Sequence, residues 1–149
     1  MARYALLLML LLATALTASA GETVPASGEQ MKHAVRAIVA AVNAGDADAY
    51  VAPFADDVEV YMIGGELRIA GRDALRRNRA QHFTRHPEVR NELVHLVAID
   101  DRVVMHDRVL LRPGTDDWAD IVEIYTFADG EIVRVDVLQP RRLFGPGTE

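Results

Sequence analysis

Two carboxylates interrupt otherwise apolar positions in two predicted strands. Between Arg102 and Arg112, one set of alternate residues is apolar except at Asp107, and between Trp118 and Phe127 the exception is Glu123. Because alternate side chains of a strand share one face, both carboxyl groups are expected on apolar faces of strands that should pair. An unpaired carboxylate is costly to bury, so it finds a partner or keeps a raised pKa. A raised pKa suits a general acid, or a neutral hydrogen-bond donor to a developing oxyanion.

Two alternatives remain open for these residues. Glu123 could belong to a structural ion-pair network, or strand twist could turn its face outward. Its candidate partners in such a network are Arg108, Arg134 and His106. His106 could itself supply a base, because histidine titrates near neutral pH. It lies beside Asp107, however, and shares its face with Arg108. Because adjacent strand residues cannot both face one pocket, an exposed strand residue or dimer contact is the other interpretation of His106.

The sequence offers little support for a metal or a cofactor. His82 and His86 have the i, i+4 spacing of helical metal ligands, but no glutamate follows His82 in the metalloprotease pattern, so solvated surface is favoured. The arginines of the same helix, Arg79 among them, are dispersed around it and are interpreted as a solvated face. The chain has no P-loop, GxSxG motif, dinucleotide fingerprint or cysteine. We therefore expect no cofactor and no metal.

The elements that position these residues begin with helices. Ser27 and Gln30 form a capping-box pattern, and Gly45 ends the helix that follows. A second, shorter helix is expected to carry Tyr50 and Phe54. The apolar stripe of the first helix consists of Met31, Val35, Ile38, Val39 and Val42.

Strands dominate the remainder of the chain. Alternation with period two begins at Val58–Tyr61, a turn at Gly64 and Gly65 leads into a short strand, and a third helix is expected from Gly71 to about His86. Four strands are then predicted, over Glu92–Ile99, Arg102–Arg112, Trp118–Phe127 and Glu131–Leu138. Helices first and an antiparallel meander last predict an α+β fold in which helices cover one face of a curved sheet.

The first 20 residues have the pattern of a secretion signal. Arg3 precedes an apolar run from Ala5 to Leu16, and Ala18-Ser19-Ala20 presents small residues for cleavage after Ala20. The alternative is an uncleaved anchor, but the run is shorter than the roughly 20 residues that cross a bilayer. We expect an exported protein, periplasmic or secreted, with a signal peptide at 1–20, a flexible lead-in at 21–27, one domain at 28–138 and a surface tail at 139–149.

Charge and composition restrict the partners. Loss of Arg3, the one charged residue in 1–20, takes the net charge from −6 to −7. An acidic domain has no electrostatic reason to bind nucleic acid or an anionic membrane, so neither is an expected partner. Without cysteine, the mature 129 residues must be held together by core packing, and they suffice for one domain.

Four segments, in order, resemble one superfamily. VNAGDAD (Val42–Asp48) and FADDV (Phe54–Val58) are similar to the helical hairpin of the nuclear-transport-factor-2-like (NTF2-like) superfamily, which includes ketosteroid isomerases and SnoaL-like polyketide cyclases. GRDAL (Gly71–Leu75) resembles the start of its third helix, and YTFADGEI (Tyr125–Ile132) its closing hairpin. The resemblance implies the cystatin-like cone, in which a curved antiparallel sheet wraps around N-terminal helices. It also implies an apolar pocket at the open end and homodimers through the outer sheet face.

The resemblance assigns positions as well as a fold. By this resemblance, Glu123 falls at the position where ketosteroid isomerases carry the acid of the oxyanion hole. Met62, however, occupies the position of their catalytic aspartate, and Ile38 that of the tyrosine in their first helix. Methionine cannot accept that proton and isoleucine cannot donate a hydrogen bond, so steroid isomerisation by that mechanism is not expected. The residues predicted to line the pocket are Tyr61, Met62, Ile38, Tyr125 and Met105.

Two hypotheses of function follow from the sequence. In the first, the domain is a cofactor-independent isomerase, cyclase or dehydratase that acts on a small apolar carbonyl compound, with Glu123, Asp107 and His106 in acid/base roles. In the second, it is a non-catalytic module that binds an apolar ligand or a partner protein. The missing catalytic groups at Met62 and Ile38 favour the second hypothesis.

Overall fold

The structure is a computed structural model that describes residues 26–140. The predicted signal peptide, and most of the lead-in and tail, lie outside the described residues. Three helices are present in this part, α1 (Gly28–Ala44), α2 (Ala47–Val51) and α3 (Arg72–Arg85). Six strands accompany them, β1 (Phe54–Met62), β2 (Glu66–Ala70), β3 (Asn91–Ile99), β4 (Arg102–Leu110), β5 (Trp118–Ala128) and β6 (Glu131–Leu138). None of these helices combines the length and apolar character needed to cross a membrane.

Helix α1 has the predicted ends and the predicted buried face. The Ser27 side chain accepts a hydrogen bond from the Gln30 backbone while the Gln30 side chain accepts from the Ser27 backbone, which confirms the capping box. Gly45 follows the helix with a φ of 67°, a left-handed conformation that glycine adopts without a steric penalty. All five residues of the predicted apolar stripe are buried.

The six strands form one curved, open sheet in the order β2-β1-β6-β5-β4-β3. The last four strands make the predicted antiparallel meander. The pairing of β1 with β6 is parallel, which is a departure from the fully antiparallel sheet that was expected. It arises because β1, far away in sequence, is added beside the last strand of the meander. The α+β cone architecture is confirmed.

Helix α2 is shorter than the sequence pattern predicted. Helix α2 ends at Val51, and Phe54 is the first residue of β1, where it pairs with Ile132 of β6. The Phe54 ring is fully buried and stacks on Tyr50 at a centroid distance of 5.6 Å. Tertiary packing therefore draws Phe54 into the sheet, directly after Pro53, which does not favour a continuing helix.

The two faces of the sheet have different environments. Helix α1 packs against β3 and β4, while α3 packs against β1 and β2, so the helices cover one face, which we call the inner face. In β4, Val103, Met105 and Asp107 are buried on this face, whereas His106 and Arg108 are more accessible on the opposite, outer face. The alternation that was predicted for this strand is confirmed, and the carboxylates of interest lie inside.

Candidate active site

Asp107 and Glu123 occupy the inner face of two adjacent strands. In the β4–β5 pairing, Glu123 is opposite Met105 and Asp107 is opposite Ile121, so the two carboxylates are diagonal neighbours on one face. Asp107 is only 1% exposed, and Glu123 is partly buried. The prediction that both residues face inward is confirmed, and the alternative in which twist turns them outward is wrong.

The Asp107 carboxyl group is only half satisfied. Its Oδ2 accepts a hydrogen bond of 2.5 Å from Asn91 Nδ2, but its buried Oδ1 has no partner within residues 26–140. Burial and, to a smaller extent, the neighbouring Glu123 charge together raise the pKa of Asp107 to about 7, while the bond from Asn91 opposes both effects. Asp107 is therefore a buried carboxyl group that exchanges its proton near neutral pH.

Asn43 fixes the donor to Asp107. The Asn43 side chain, at the end of α1, accepts from the Asn91 backbone N–H at 2.8 Å and donates to the Asn91 carbonyl at 2.9 Å. Both backbone groups of Asn91 are thus held by one amide, which sets the position from which its own side chain reaches Asp107. This connection joins the end of α1 to the first residue of β3 and to the centre of β4.

Glu123 bonds to an aromatic hydroxyl. Tyr125 is two residues further along the same face of β5, is fully buried, and donates a hydrogen bond from its hydroxyl to Glu123 Oε2. Burial raises the pKa of Glu123, while the bond from Tyr125 and the charge of Arg79 oppose that shift. Burial and the nearby Glu123 charge raise the pKa of Tyr125 well above 10, so its hydroxyl keeps its proton.

The ion-pair alternative for Glu123 is not supported. Each of its candidate partners lies on the outer face and pairs there with another acidic residue. Arg108 pairs with Glu92, Arg134 with Asp136, and His106 with Asp120.

Arg79 and Tyr50 complete the group from the helices. The Arg79 guanidinium lies over the Tyr50 ring at 5.4 Å from its centroid, and its buried Nε has no hydrogen-bond partner in the described part of the chain. Burial raises the pKa of Tyr50 to about 12, and the charges of Glu123 and Asp107 contribute to that shift. We call Tyr50, Arg79, Asn91, Asp107, Glu123 and Tyr125 the inner cluster.

The interpretation of Arg79 as part of a solvated helix face is wrong. Leu75 and Phe83 are the two buried residues of α3, and Arg79 lies midway between them at i+4 from Leu75. Residues four apart in a helix share one face, so this spacing was the available signal that Arg79 points inward. The surrounding arginines at 76 and 77 obscured it in the sequence.

Two residues predicted for the site lie elsewhere. His106 is on the outer face, where its ring contacts His95 and Asp120, so it does not face the carboxylate pair, although its charge lowers the pKa of the adjacent Asp107. Tyr61 is also on the outer face, because it pairs with Asp136 and alternates with Met62 along β1. The prediction that Tyr61 lines an inner pocket is therefore wrong.

The remaining predicted pocket residues lie on the inner side. Ile38, Met105 and Tyr125 are buried in the core, and Met62 is partly buried at the end of β1 beside Val137. Within residues 26–140, one open concavity of about 600 Å³ lies against β3–β6 on the outer face, and another of about 510 Å³ lies along α3. Asp107 and Glu123 line neither of them. The apolar pocket and the homodimer stay predictions.

Comparison with protein families identifies the class of this chain. A family model for the SnoaL-like domain matches residues 35–135, which include β1 to β5, the first part of β6 and every residue of the inner cluster. The protein belongs to this SnoaL-like family, and its fold is NTF2-like, as the sequence motifs predicted. No match was found among curated proteins.

Solved structures support the fold and differ in the activity that they are named for. An uncharacterized cystatin fold protein from Novosphingobium aromaticivorans is 28% identical with a TM-score of 0.66, covering 72% of this chain and 96% of that one. AclR from Streptomyces galilaeus, a proposed hydroxylase, is 20% identical with a TM-score of 0.65, covering 78% and 92%. A proposed ketosteroid isomerase from Kribbella flavida is 21% identical with a TM-score of 0.62, covering 75% and 78%. The last two similarities show the fold alone.

The raised pKa of Asp107 predicts a particular dependence of stability on pH. The unfolded chain loses this proton near pH 4, whereas the folded protein keeps it until about pH 7. The free energy of unfolding should therefore fall as pH rises from about 4 to 7, by on the order of a few kcal/mol. Asp107→Asn removes this titration, so the variant should have a flatter profile and should be more stable than wild type at pH 8. Urea denaturation at several pH values measures both.

Asp57→Asn, at an exposed carboxylate of β1, is the matched control and should keep the wild-type pH profile. A steep decrease in stability that persists unchanged in Asp107→Asn would contradict the assignment of a raised pKa to Asp107.

Proposed function

We propose that this protein is a cofactor-independent acid/base enzyme of the isomerase or lyase type that acts on a small apolar carbonyl compound at the inner cluster. The observation that carries the proposal is Asp107, whose buried Oδ1 has no partner in the described chain and whose pKa is about 7. A general base works best when its pKa is near the working pH, because enough of it is ionised while it still binds a proton strongly.

Asp107 is the proton acceptor in this proposal. Oδ2 is held by Asn91, so Oδ1 is the oxygen left for a substrate C–H or O–H group, which must enter the enclosed inner face to reach it. The carboxylate takes a proton from the carbon next to the substrate carbonyl, and the electron pair moves onto the carbonyl oxygen. Return of the proton from Asp107 to another atom completes an isomerisation. In a dehydration, the carbonyl reforms while a carbon–carbon double bond forms and the C–O bond of a hydroxyl group on the neighbouring carbon breaks, and that hydroxyl takes the Asp107 proton and leaves as water.

Glu123 and Arg79 would stabilise the developing oxyanion. With its raised pKa, Glu123 can hold a proton on the carboxyl oxygen that does not accept from Tyr125, and a neutral carboxyl group donates a strong hydrogen bond to an oxyanion. Arg79 Nε is a second buried donor without a partner in residues 26–140. A substrate oxygen between these two groups would satisfy a donor that otherwise costs about 1–3 kcal/mol.

The steroid-isomerase route does not apply to these residues. Ile38 lies in the core and Met62 at the end of β1, and neither carries a group that exchanges a proton. The base proposed here is on β4, whereas Met62, at the position that the resemblance assigns to the catalytic aspartate of ketosteroid isomerases, is on β1.

The proposed reaction can be tested before the natural substrate is known. Proton abstraction next to a carbonyl is measured as deuterium incorporation into a small apolar ketone, such as 2-tetralone, in D₂O by NMR. The wild-type protein should accelerate exchange, and the rate should rise as pH passes about 7 because Asp107 must be ionised to act as the base. Asp107→Asn should lower the protein-dependent rate by about 10²–10⁴-fold, and Glu123→Gln by a smaller factor.

Asp57→Asn should exchange at the wild-type rate. Equal rates for wild type and Asp107→Asn, both above buffer, would contradict the role of Asp107.

A binding module without catalysis is the second candidate. Its support is that Asp107 and Glu123 line neither of the two concavities described above. On that alternative, 2-tetralone binding would perturb NMR signals of residues that line one of these concavities, such as Val104 and Ile124 or Ala80 and Thr84, without any deuterium incorporation.

We also propose that the domain acts after export. The support is the sequence pattern that predicts cleavage after Ala20, which leaves Gly21 as the first residue. When the full-length sequence is expressed in a bacterial host, mass spectrometry of the purified protein should give the mass of residues 21–149. A product that retains residues 1–20 in the membrane fraction would contradict cleavage.

A further inference from the structure

His106, which the inner cluster does not use, belongs to a chain of hydrogen bonds on the outer face. His106 Nδ1 lies 3.2 Å from His95 Nδ1 of the neighbouring strand β3, and His106 Nε2 lies 2.9 Å from Asp120 Oδ1 of β5. The three residues therefore form one connected row, which we call the outer histidine row. Their strands are paired, with His95 directly opposite His106.

Asp120 determines which nitrogen of His106 carries the proton. An ionised carboxylate only accepts hydrogen bonds, so Nε2 of His106 must be the protonated nitrogen. In the neutral ring, Nδ1 then carries a lone pair directed at His95. His95 is exposed, so it is free to present Nδ1 either with a proton, as a donor to His106, or with a second lone pair.

We infer that the outer histidine row is a binding site for a divalent transition-metal ion, with Nδ1 of His95 and Nδ1 of His106 as its two protein ligands. Two imidazole nitrogens that are each about 2.0 Å from a tetrahedral ion lie about 3.3 Å apart. The observed separation of 3.2 Å is close to this value. The ion would replace the proton shared between the two nitrogens.

Asp120 makes this pair better suited to a metal than two unrelated histidines. A ligating histidine usually donates its other N–H to a carboxylate, which fixes the ring and increases its basicity. The bond from His106 Nε2 to Asp120 is that arrangement. Arg108, a cation on the same face of β4 as His106, is neutralised by its pair with Glu92.

The ligand set indicates the class of ion. Imidazole suits Zn²⁺, Cu²⁺ and Ni²⁺, whereas Mg²⁺ and Ca²⁺ prefer oxygen ligands. No group of three or more His, Asp or Glu side chains among residues 26–140 forms a metal cage, so this site supplies two protein ligands and solvent supplies the others. Such a site is open and exchangeable, and it lies on the face opposite the inner cluster.

Calorimetric titration of the untagged protein with ZnCl₂, NiCl₂ and CuCl₂ tests the inference. One ion per chain should bind, with Cu²⁺ tighter than Ni²⁺ and MgCl₂ without effect. His95→Gln and His106→Gln should each weaken Zn²⁺ binding by more than about tenfold, and Asp120→Asn by about 10–100-fold. Long-range ¹H–¹⁵N NMR of the imidazole rings should show Zn²⁺-dependent shifts of Nδ1 in both histidines, which detects the site without mutation.

The chain provides matched controls in its three other histidines. His33→Gln changes an exposed ring of α1, and His86→Gln disrupts the His82–His86 pair of α3, whose ring centroids are 4.8 Å apart. Both variants should bind Zn²⁺ as wild type does. Binding that is lost in His86→Gln but unchanged in His95→Gln, or no binding of any of the three ions at millimolar concentration, would overturn the inference.

Discussion

The structure depends on the burial of two carboxyl groups side by side on the inner face of β4 and β5. Asp107 and Glu123 are diagonal neighbours there, and each raises the cost of ionising the other. Burying one charge without a partner is already costly, and two like charges in one apolar region cannot both be ionised at little cost. The folded state therefore holds a proton at neutral pH that the unfolded chain would release. The buried carboxyl pair therefore lowers the free energy of unfolding at neutral pH, and it also supplies a carboxyl group, Asp107, that can exchange a proton near that pH.

Neighbouring residues of the fold reduce the free-energy cost of this burial and orient the two carboxyl groups. Tyr125 bonds to Glu123 and Asn91 bonds to Asp107, so each acid has one fixed neutral partner and one oxygen available. Asn43 in turn holds Asn91 through two backbone hydrogen bonds. The position of Asp107 Oδ2 in the centre of the sheet therefore depends, through Asn91, on Asn43 at the end of α1. Arg79 approaches from α3 and lies over Tyr50 of α2, so helices and sheet meet at the inner cluster, on whose polar groups the proposed chemistry depends.

Much of the fold and part of the site were predictable from local patterns. Strand alternation is a short-range property, so it placed Asp107 and Glu123 on the inner face correctly. The link from Asn43 to Asn91 joins residues 48 positions apart, and no local pattern reports such a contact. The inward direction of Arg79 was missed because the other arginines of its helix are dispersed around it and suggested a solvated face. The outward direction of Tyr61 was available from strand alternation, because Val58 faces inward and Tyr61 shares the other face with Glu59. Only the parallel pairing of β1 with β6 could not be inferred from the meander.

The most direct test of the central claim is an NMR titration of the side-chain carboxyl carbons of Asp107 and Glu123 in the wild-type protein. If the pair is buried and mutually coupled as described, Asp107 should titrate near pH 7 and Glu123 above its usual range, with each signal also sensing the other's titration. Titration of both groups at their ordinary values near pH 4 would contradict a proton held at neutral pH, and with it the proposed chemistry of the inner cluster.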